Sequence, residues 1–432
     1  MRPREKEKWL VKLRAVLQDP KLDINAQDKD RQGHSSTSLL HAVDHGHAQT
    51  VAELLKHPKI DPNAGSALTH FTPLLVAAEN GSLAILKLLM AHQRCDPNLG
   101  SLLDGTTPLI HCAASKNTAL AAELLCDPRV DVNSTNANGS STLSICCQLG
   151  QFNIAQLVLA HADFRNINQR NSLGATPFSY LCQINGSDQL KMLEELFLPI
   201  SGLDASLGNT ENLVPLHLAT CSGNVAALRL LLARPEIKIN ARDNVGASSL
   251  YKACEMNQCE SLHELLACPG IDLTLGHIHD GGSAVNMASQ FNHHQALKLL
   301  LQHDDAHKAI NIPLKPHGAT PLYMAVQGGF VESVKLLLAH PACDLNKACV
   351  DGLTPLEAAC RVHLTGLVPS VNPRAKKPFT DGPHPPPRSL KERQIDIARL
   401  LMAHPSIDVS SSKGKCARAA IQALLMARGA TL

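Results

Sequence analysis

Histidine and cysteine are the residues in this chain best suited to chemistry, with 22 His and 14 Cys among 432 residues. Together they form the usual ligand set of zinc, yet a shared ion needs every ligand atom within about 2.0 to 2.3 Å of it. The spacing works against that. His57, His92, His161, His303, His340 and His404 each follow a similar Leu-rich run, so they recur at one place in a repeated pattern instead of converging. If each repeat is a layer about 10 Å thick, neighbouring histidines stand a full layer apart. Two local sets remain, His277-Ile278-His279-Asp280 and His303-Asp304-Asp305-Ala306-His307, the second an i, i+4 pair if that stretch is helical. Neither has a Cys pair or a glutamate base beside it, and both read as loop-tip or surface histidines. Cys112, Cys146, Cys182, Cys254 and Cys360 fall at the small-residue slot of a short helix, where Cys packs as a slightly larger Ala. No metal and no other cofactor is expected.

Motifs of other chemistries are missing. The chain has no phosphate-cradling Gly-rich loop ending in Lys-Ser/Thr, no Gly-X-Ser-X-Gly elbow, no His-Glu-X-X-His and no dinucleotide fingerprint. Catalysis needs converging groups in a water-poor site, and a repeated pattern presents its groups along an open surface. The chain is therefore expected not to be an enzyme. A metal-binding or enzymatic protein built on the His/Cys clusters is the alternative of another class.

The elements that would position these residues are set by the repeat. A Thr-Pro-Leu-like start is followed by Ala or Cys, a Leu-Leu run and a His-Pro-X-Ile-Asp-X-Asn-like tail. The Pro slot falls at Ser38, Pro73, Pro108, Thr142, Pro177, Pro215, Ser249, Ala284, Pro321 and Pro355, with spacings of 35, 35, 34, 35, 38, 34, 35, 37 and 34. Each copy reads as two short antiparallel helices and a hairpin-like loop. Thr107-Pro108 and Thr354-Pro355 cap and open the first helix. Small pairs such as Ala77-Ala78 and Ala358-Ala359 let neighbours approach. Gly46, Asn80-Gly81, Gly223 and Gly328-Gly329 break the first helix where a positive φ is needed. The second helix carries an i, i+3, i+4 apolar stripe, as in Val334, Leu337 and Leu338. One copy has apolar surface on both broad sides and is stabilised only by stacking, so ten copies imply a curved rod on the order of 100 Å long.

Val214-Pro215-Leu216-His217-Leu218-Ala219, Gly105-Thr106-Thr107-Pro108-Leu109 and Gly352-Leu353-Thr354-Pro355-Leu356 resemble the ankyrin repeat. The resemblance covers nearly the whole chain and implies an all-α solenoid capped at both ends. Residues 1–35 read as an N-terminal capping half-repeat and 36–363 as ankyrin repeats. Residues 364–390 read as an inserted Pro-rich basic loop, and 391–432 as the rest of the last repeat with a closing helix from about Ala417. The tail asparagines Asn25, Asn63, Asn98, Asn133, Asn240 and Asn346 are expected to tie their own loop backbone, as Asx residues do in turns. Leu125 to Asn133 also resembles the segment that asparaginyl hydroxylases modify in this family. The resemblance further implies protein binding on a concave side formed by loop tips and first-helix ends. Matching tip residues are Phe71, Leu103, Val245, His279, His317 and Val350; matching helix-end residues are Glu79, Glu255, Met256, Gln290, Phe291, Gln327 and Arg361. Phe71, Leu103, Met256 and Phe291 are the expected hot spots, being large apolar groups where polar ones would be easier to solvate. An adaptor or scaffold follows, or an inhibitor or retention regulator of a transcription factor or host protein, since both need only a binding face.

Partners other than proteins are disfavoured. Lys plus Arg is 40 and Asp plus Glu is 38, a balance of +2 with no field to recruit nucleic acid. Residues 1–14 and 361–393 contribute +4 and +5, so the remainder is mildly acidic at about −7 and suits partners with basic patches. Pro383-His384-Pro385-Pro386-Pro387-Arg388 fits the Pro-X-X-Pro-X-Arg ligand of an SH3-type domain through Pro383, Pro386 and Arg388. No stretch reaches the roughly 18 apolar residues of a membrane span, and no signal peptide is indicated. Reduced thiols then point to the cytoplasm, with Pro373-Arg374-Ala375-Lys376-Lys377-Pro378 as a nuclear-import candidate. The chain is expected to be a monomer when alone.

Overall fold

A computed structural model describes residues 3–29, 35–66, 71–365 and 390–408. The Pro-rich motif with Pro383, Pro386 and Arg388, the nuclear-import candidate and the closing helix expected from Ala417 lie outside the described residues. The chain divides into two compact units, Met1–Thr210 and Glu211–Leu432. The first holds α1 (Pro3–Val16), a hairpin of β1 (Gln27–Lys29) and β2 (Ser35–Thr37), and five helix pairs. These are α2 (Ser38–Asp44) with α3 (Ala48–Leu54), α4 (Pro73–Glu79) with α5 (Leu83–Met90), α6 (Pro108–Ala114) with α7 (Thr118–Leu125), α8 (Thr142–Leu149) with α9 (Phe152–Ala160), and α10 (Pro177–Gln183) with α11 (Ser187–Met192). The second unit pairs α12 (Pro215–Ser222) with α13 (Val225–Leu232), α14 (Ser249–Glu255) with α15 (Cys259–Leu266), and α16 (Ala284–Gln290) with α17 (His294–Leu301). A short α18 (Ala306–Ala309) follows, then α19 (Pro321–Gly328) with α20 (Val331–Leu338) and α21 (Pro355–Thr365) with α22 (Leu390–Ala403). The two long copies have a visible cause. The spacing of 38 after Pro177 accommodates a π-turn at Leu193–Phe197, and the 37 after Ala284 accommodates α18.

The first helices start where a hydroxyl can cap them. Thr72 Oγ1 accepts the Leu75 N–H at 3.2 Å, Thr107 that of Ile110 at 3.4 Å and Thr320 that of Tyr323 at 3.2 Å, each followed by Pro in the first turn. Copies without the Pro keep the cap, with Ser141 accepting from Ser144 and Ser248 from Tyr251. Val214 has no hydroxyl. There the Nδ1 of buried His217 accepts the Val214 N–H at 3.2 Å while Nε2 donates to the Ala247 carbonyl at 3.2 Å. Asn286 does the same work in α16, accepting from Ser283 N–H and donating to the Ile312 carbonyl. Gly81 ends one first helix at φ +66°, but Lys116 adopts φ 62° at the matching place, a conformation that costs a side-chain-bearing residue about 1 kcal/mol.

Within each unit first helices pack on first helices and second on second, as along α2, α4, α6, α8 and α10 or α13, α15, α17, α20 and α22. Leu74, Leu75, Ala77 and Ala78 of α4 and Ile85, Leu86 and Leu89 of α5 are buried between layers. Cys112, Cys146, Cys182, Cys254 and Cys360 lie in the same small-residue layer, all buried. Burial pushes the Cys112 thiol up to about 12, so it is an inert packing group.

The tail asparagines correct the sequence reading. Asn98 does not tie its own loop: its Nδ2 donates to the Arg129 carbonyl at 2.7 Å and its Oδ1 accepts the Asp131 N–H at 2.7 Å, both in the next layer. Asn25, Asn63, Asn133 and Asn240 make the same two-way clamp, on Lys59 and Asp61, Arg94 and Asp96, Asp163 and Arg165, and Gly270 and Asp272. So does Asn346, and so do Asn168 and Asn311, which the sequence pattern missed. The Asx turn within the loop is made by the Asp two residues earlier, as Asp96 accepts the Asn98 N–H at 2.9 Å. At Ser206 and Thr274 the hydroxyl turns back to Asp204 and Asp272 of its own loop.

Candidate functional site

The histidines that opened the metal question are consumed by turns. Nδ1 of His57, His92, His161, His303, His340 and His404 accepts the backbone N–H two residues on, at 3.1 to 3.3 Å. His277 does the same with His279 N–H, and His307 Nδ1 donates to the Asp304 carbonyl. Burial, with Arg94 or His307 nearby, lowers the pKa of His92 and His340, which favours the neutral ring these bonds require. Among the described residues no three His, Cys, Asp or Glu side chains are grouped to hold a metal.

The loop tips are built by backbone pairing. Ala137 N–H donates to the Asp104 carbonyl, Ser172 to Asn138 and Thr210 to Leu173 in the first unit. In the second, Asn244 donates to Glu211, Ile278 to Val245, Lys315 to Asp280 and Val350 to His317, at 2.6 to 3.0 Å. With these backbone groups committed, each tip is left to present side chains. Leu103 is 69% exposed and Val350 72%, and His279 and His317 are exposed. Phe71 and Val245 are half-buried. Sequence reasoning missed Leu102, Leu173 and Ile278, exposed apolar residues one position from the expected tip or in a copy with no expected residue. Leu173, in Asn171-Ser172-Leu173-Gly174, carried a sequence signal as an apolar residue within a turn, whereas Leu102 and Ile278 are identified only by the register of the tip bonds.

The first-helix ends are less uniform. Glu79 is exposed and Met256 is 50% exposed. Glu255 is half-buried, with Oε2 3.1 Å from Lys252 Nζ, which also lies 3.4 Å from Asp243 Oδ2. Burial pulls the Lys252 pKa down, but Glu255 and Asp243 raise it overall, so an ion cluster joins the tip loop to α14. Phe291 is half-buried, its ring stacked 5.9 Å from that of His293, and Gln290 is half-buried beside it. Gln327 is a correction. It is only 6% exposed, because α22 lies over the end of α19, with Gln394 Nε2 donating to the Val326 carbonyl at 2.7 Å, so Gln327 cannot meet a partner. Arg361 falls within α21, but its side chain lies outside the described residues.

A family model described as ankyrin repeats (3 copies) matches residues 8–101, 74–171, 178–277, 262–349 and 285–369. The chain belongs to the ankyrin-repeat family. It is an all-α ankyrin solenoid, and ankyrin repeats are protein-binding modules, so a protein-protein interaction role follows. Among curated proteins the chain is similar to human SMC5-SMC6 complex localization factor protein 1, at 38% identity over 96 residues, which is 22% of this chain and 9% of that protein. It is also similar to the mouse B-cell lymphoma 3 protein homolog, at 28% identity over 220 residues, covering 50% of this chain and 45% of that one. The chain therefore spans under half the length of either relative. The solved ankyrin repeat domain of Bcl-3 aligns with a TM-score of 0.44 and 23% identity over 51% of this chain and 94% of that one. No helix among the described residues is long and apolar enough to cross a membrane.

Proposed function

We propose that this ankyrin-repeat protein is a non-enzymatic scaffold that holds partner proteins on the loop tips and first-helix ends of its units. The observation that carries the reading is a division of labour inside each layer. Caps, Asn clamps and tip bonds repeat almost unchanged, while the side chains they present differ and include exposed Leu102, Leu103, Met256, Ile278 and Val350. Exposed apolar groups on a rigid frame are the usual anchors of a protein interface. We place the chain in the cytoplasm or nucleus, in keeping with the free thiols of Cys95, Cys112, Cys146 and Cys254. We assign the Pro383–Arg388 segment to an SH3-type partner.

Proximity labelling with the intact protein tests this. It is repeated with Leu102→Ser and Leu103→Ser, with Met256→Ser and Val350→Ser, and with residues 366–389 deleted. Loss of distinct prey from each variant is expected. An unchanged prey set in all three would show that the binding surfaces are elsewhere, and loss of no SH3-type prey on deletion would remove that assignment.

A further inference from the structure

The rings of His41 and His45 lie with their centroids 4.2 Å apart at the end of α2, and both residues are exposed. The spacing is helical. His41 belongs to the last turn and His45 caps the helix at φ −86° and ψ 6°, so the two side chains stand as i, i+4 neighbours on one face. Nδ1 of His45 is 3.0 Å from the His41 carbonyl, and a carbonyl can only accept, so Nδ1 carries the proton. The lone pair of that ring is therefore on Nε2. Asp44 Oδ2, 3.8 Å from the same Nδ1, favours this tautomer. Neither ring nitrogen of His41 has a hydrogen bond among the described residues. An imidazole that gives one N–H to a backbone carbonyl and turns the other nitrogen outward is the usual arrangement of a metal ligand.

Other histidines are in the opposite state. His57, His92 and His340 spend the Nδ1 lone pair on a backbone N–H, which puts the proton on Nε2 and leaves no electron pair for an ion. Buried His277 does the same, although its ring is 5.2 Å from that of His279. His303 and His307 are four apart in sequence but do not share a helix, since α18 begins at Ala306. We propose that His41 and His45 form a two-histidine site for a divalent transition ion such as Zn²⁺, held by Nε2 of His45 and one ring nitrogen of His41, with water in the remaining positions. Two imidazoles bound at about 2.0 Å and near a right angle to one another keep their centroids about 4.5 Å apart, so the observed 4.2 Å calls for only a small ring rotation. His47 stands further off, its ring 6.1 Å from that of His45, and is not one of the two ligands. His45 has the place in its layer that Met256 has in another, each seven residues after the Pro slot, so the ion sits on the surface assigned to partner proteins. The metal site does not depend on that assignment, and either can fail alone.

Diethyl pyrocarbonate labels an unprotonated ring nitrogen, and peptide mass spectrometry then reads each histidine of the full-length protein separately. Labelling is followed across a Zn²⁺ titration and, as a control, with Mg²⁺, which prefers oxygen ligands. Zn²⁺ should slow the labelling of His41 and His45 together, saturably and by at least about fivefold, while Mg²⁺ leaves both unchanged. Coupling is the sharper readout. His41→Ala should abolish the protection of His45, and His45→Ala that of His41, because one imidazole alone holds the ion weakly. His47→Ala should leave both protected. All three residues are exposed, so the circular dichroism of the variants should match the parent. Equal labelling with and without Zn²⁺, protection of His45 that survives His41→Ala, or loss of protection in His47→Ala would overturn the proposal.

Discussion

Asn98→Ala removes one side chain and two bonds between layers, and its cost can be worked from the geometry. Nδ2 to the Arg129 carbonyl and Oδ1 from the Asp131 N–H are both 2.7 Å, and the first is partly buried. A neutral hydrogen bond contributes about 1 kcal/mol net, and a buried group left without a partner costs more. The Asp131 amide is near solvent and water can replace its bond, whereas the bond to the Arg129 carbonyl is partly buried and less easily replaced. The expected loss is about 2 kcal/mol, with most of it on the carbonyl side. Asn98→Asp keeps the acceptor for Asp131 but sets a carboxylate against the Arg129 carbonyl, so it should recover little. Equilibrium urea unfolding measures the loss, and hydrogen exchange at the Asp131 amide localises it. A change under about 0.5 kcal/mol with Asp131 protection intact would refute the view that the amide joins the layers.

Three further outcomes follow from particular residues. Lys116→Gly relieves the left-handed φ of 62° and should stabilise the chain by about 0.5 to 1 kcal/mol in the same urea assay, the glycine entropy offsetting part of the gain. His217→Ala orphans the Val214 amide and removes one of the two donors to the Ala247 carbonyl, which keeps the Asp243 N–H, and should cost about 1 to 2 kcal/mol. His217→Asn should cost less, since Asn286 fills the matching role at Ser283, and equal losses for the two variants would contradict that equivalence. Hydrogen bonds from Arg14 and Lys56 hold the Glu53 carboxyl at about 2, against an ordinary value of 4.5. A lowered folded pKa stabilises above the ordinary value and loses that contribution as pH falls towards 2. The stability difference between the parent and Arg14→Gln should therefore be largest above about pH 4.5 and shrink with acidification.

Much of this architecture was legible in the residues because it depends on local chemistry. Thr-Pro fixes a cap and a first turn within four residues, and the apolar stripe of Leu228, Leu231 and Leu232 needs only helical period to be read. The Asn clamp was misread because an Asx turn and a bond to the next layer call for the same residue. Which carbonyl the amide meets depends on stacking some 30 residues away. Gln327 failed as a binding residue for a similar reason. A helix that follows it by more than 60 residues in sequence lies over it. Ile278 escaped notice because tip register is set by the bond it donates to Val245 in the preceding loop.

The clamp asks nothing of a neighbour's side chains, since it grips only a carbonyl and an amide that every residue except proline supplies. A gene duplication that copies one module would therefore meet a compatible mate on either side without compensating mutations. Growth or shrinkage of such an array is limited by what its outer surface must recognise, not by whether a newly inserted module can dock.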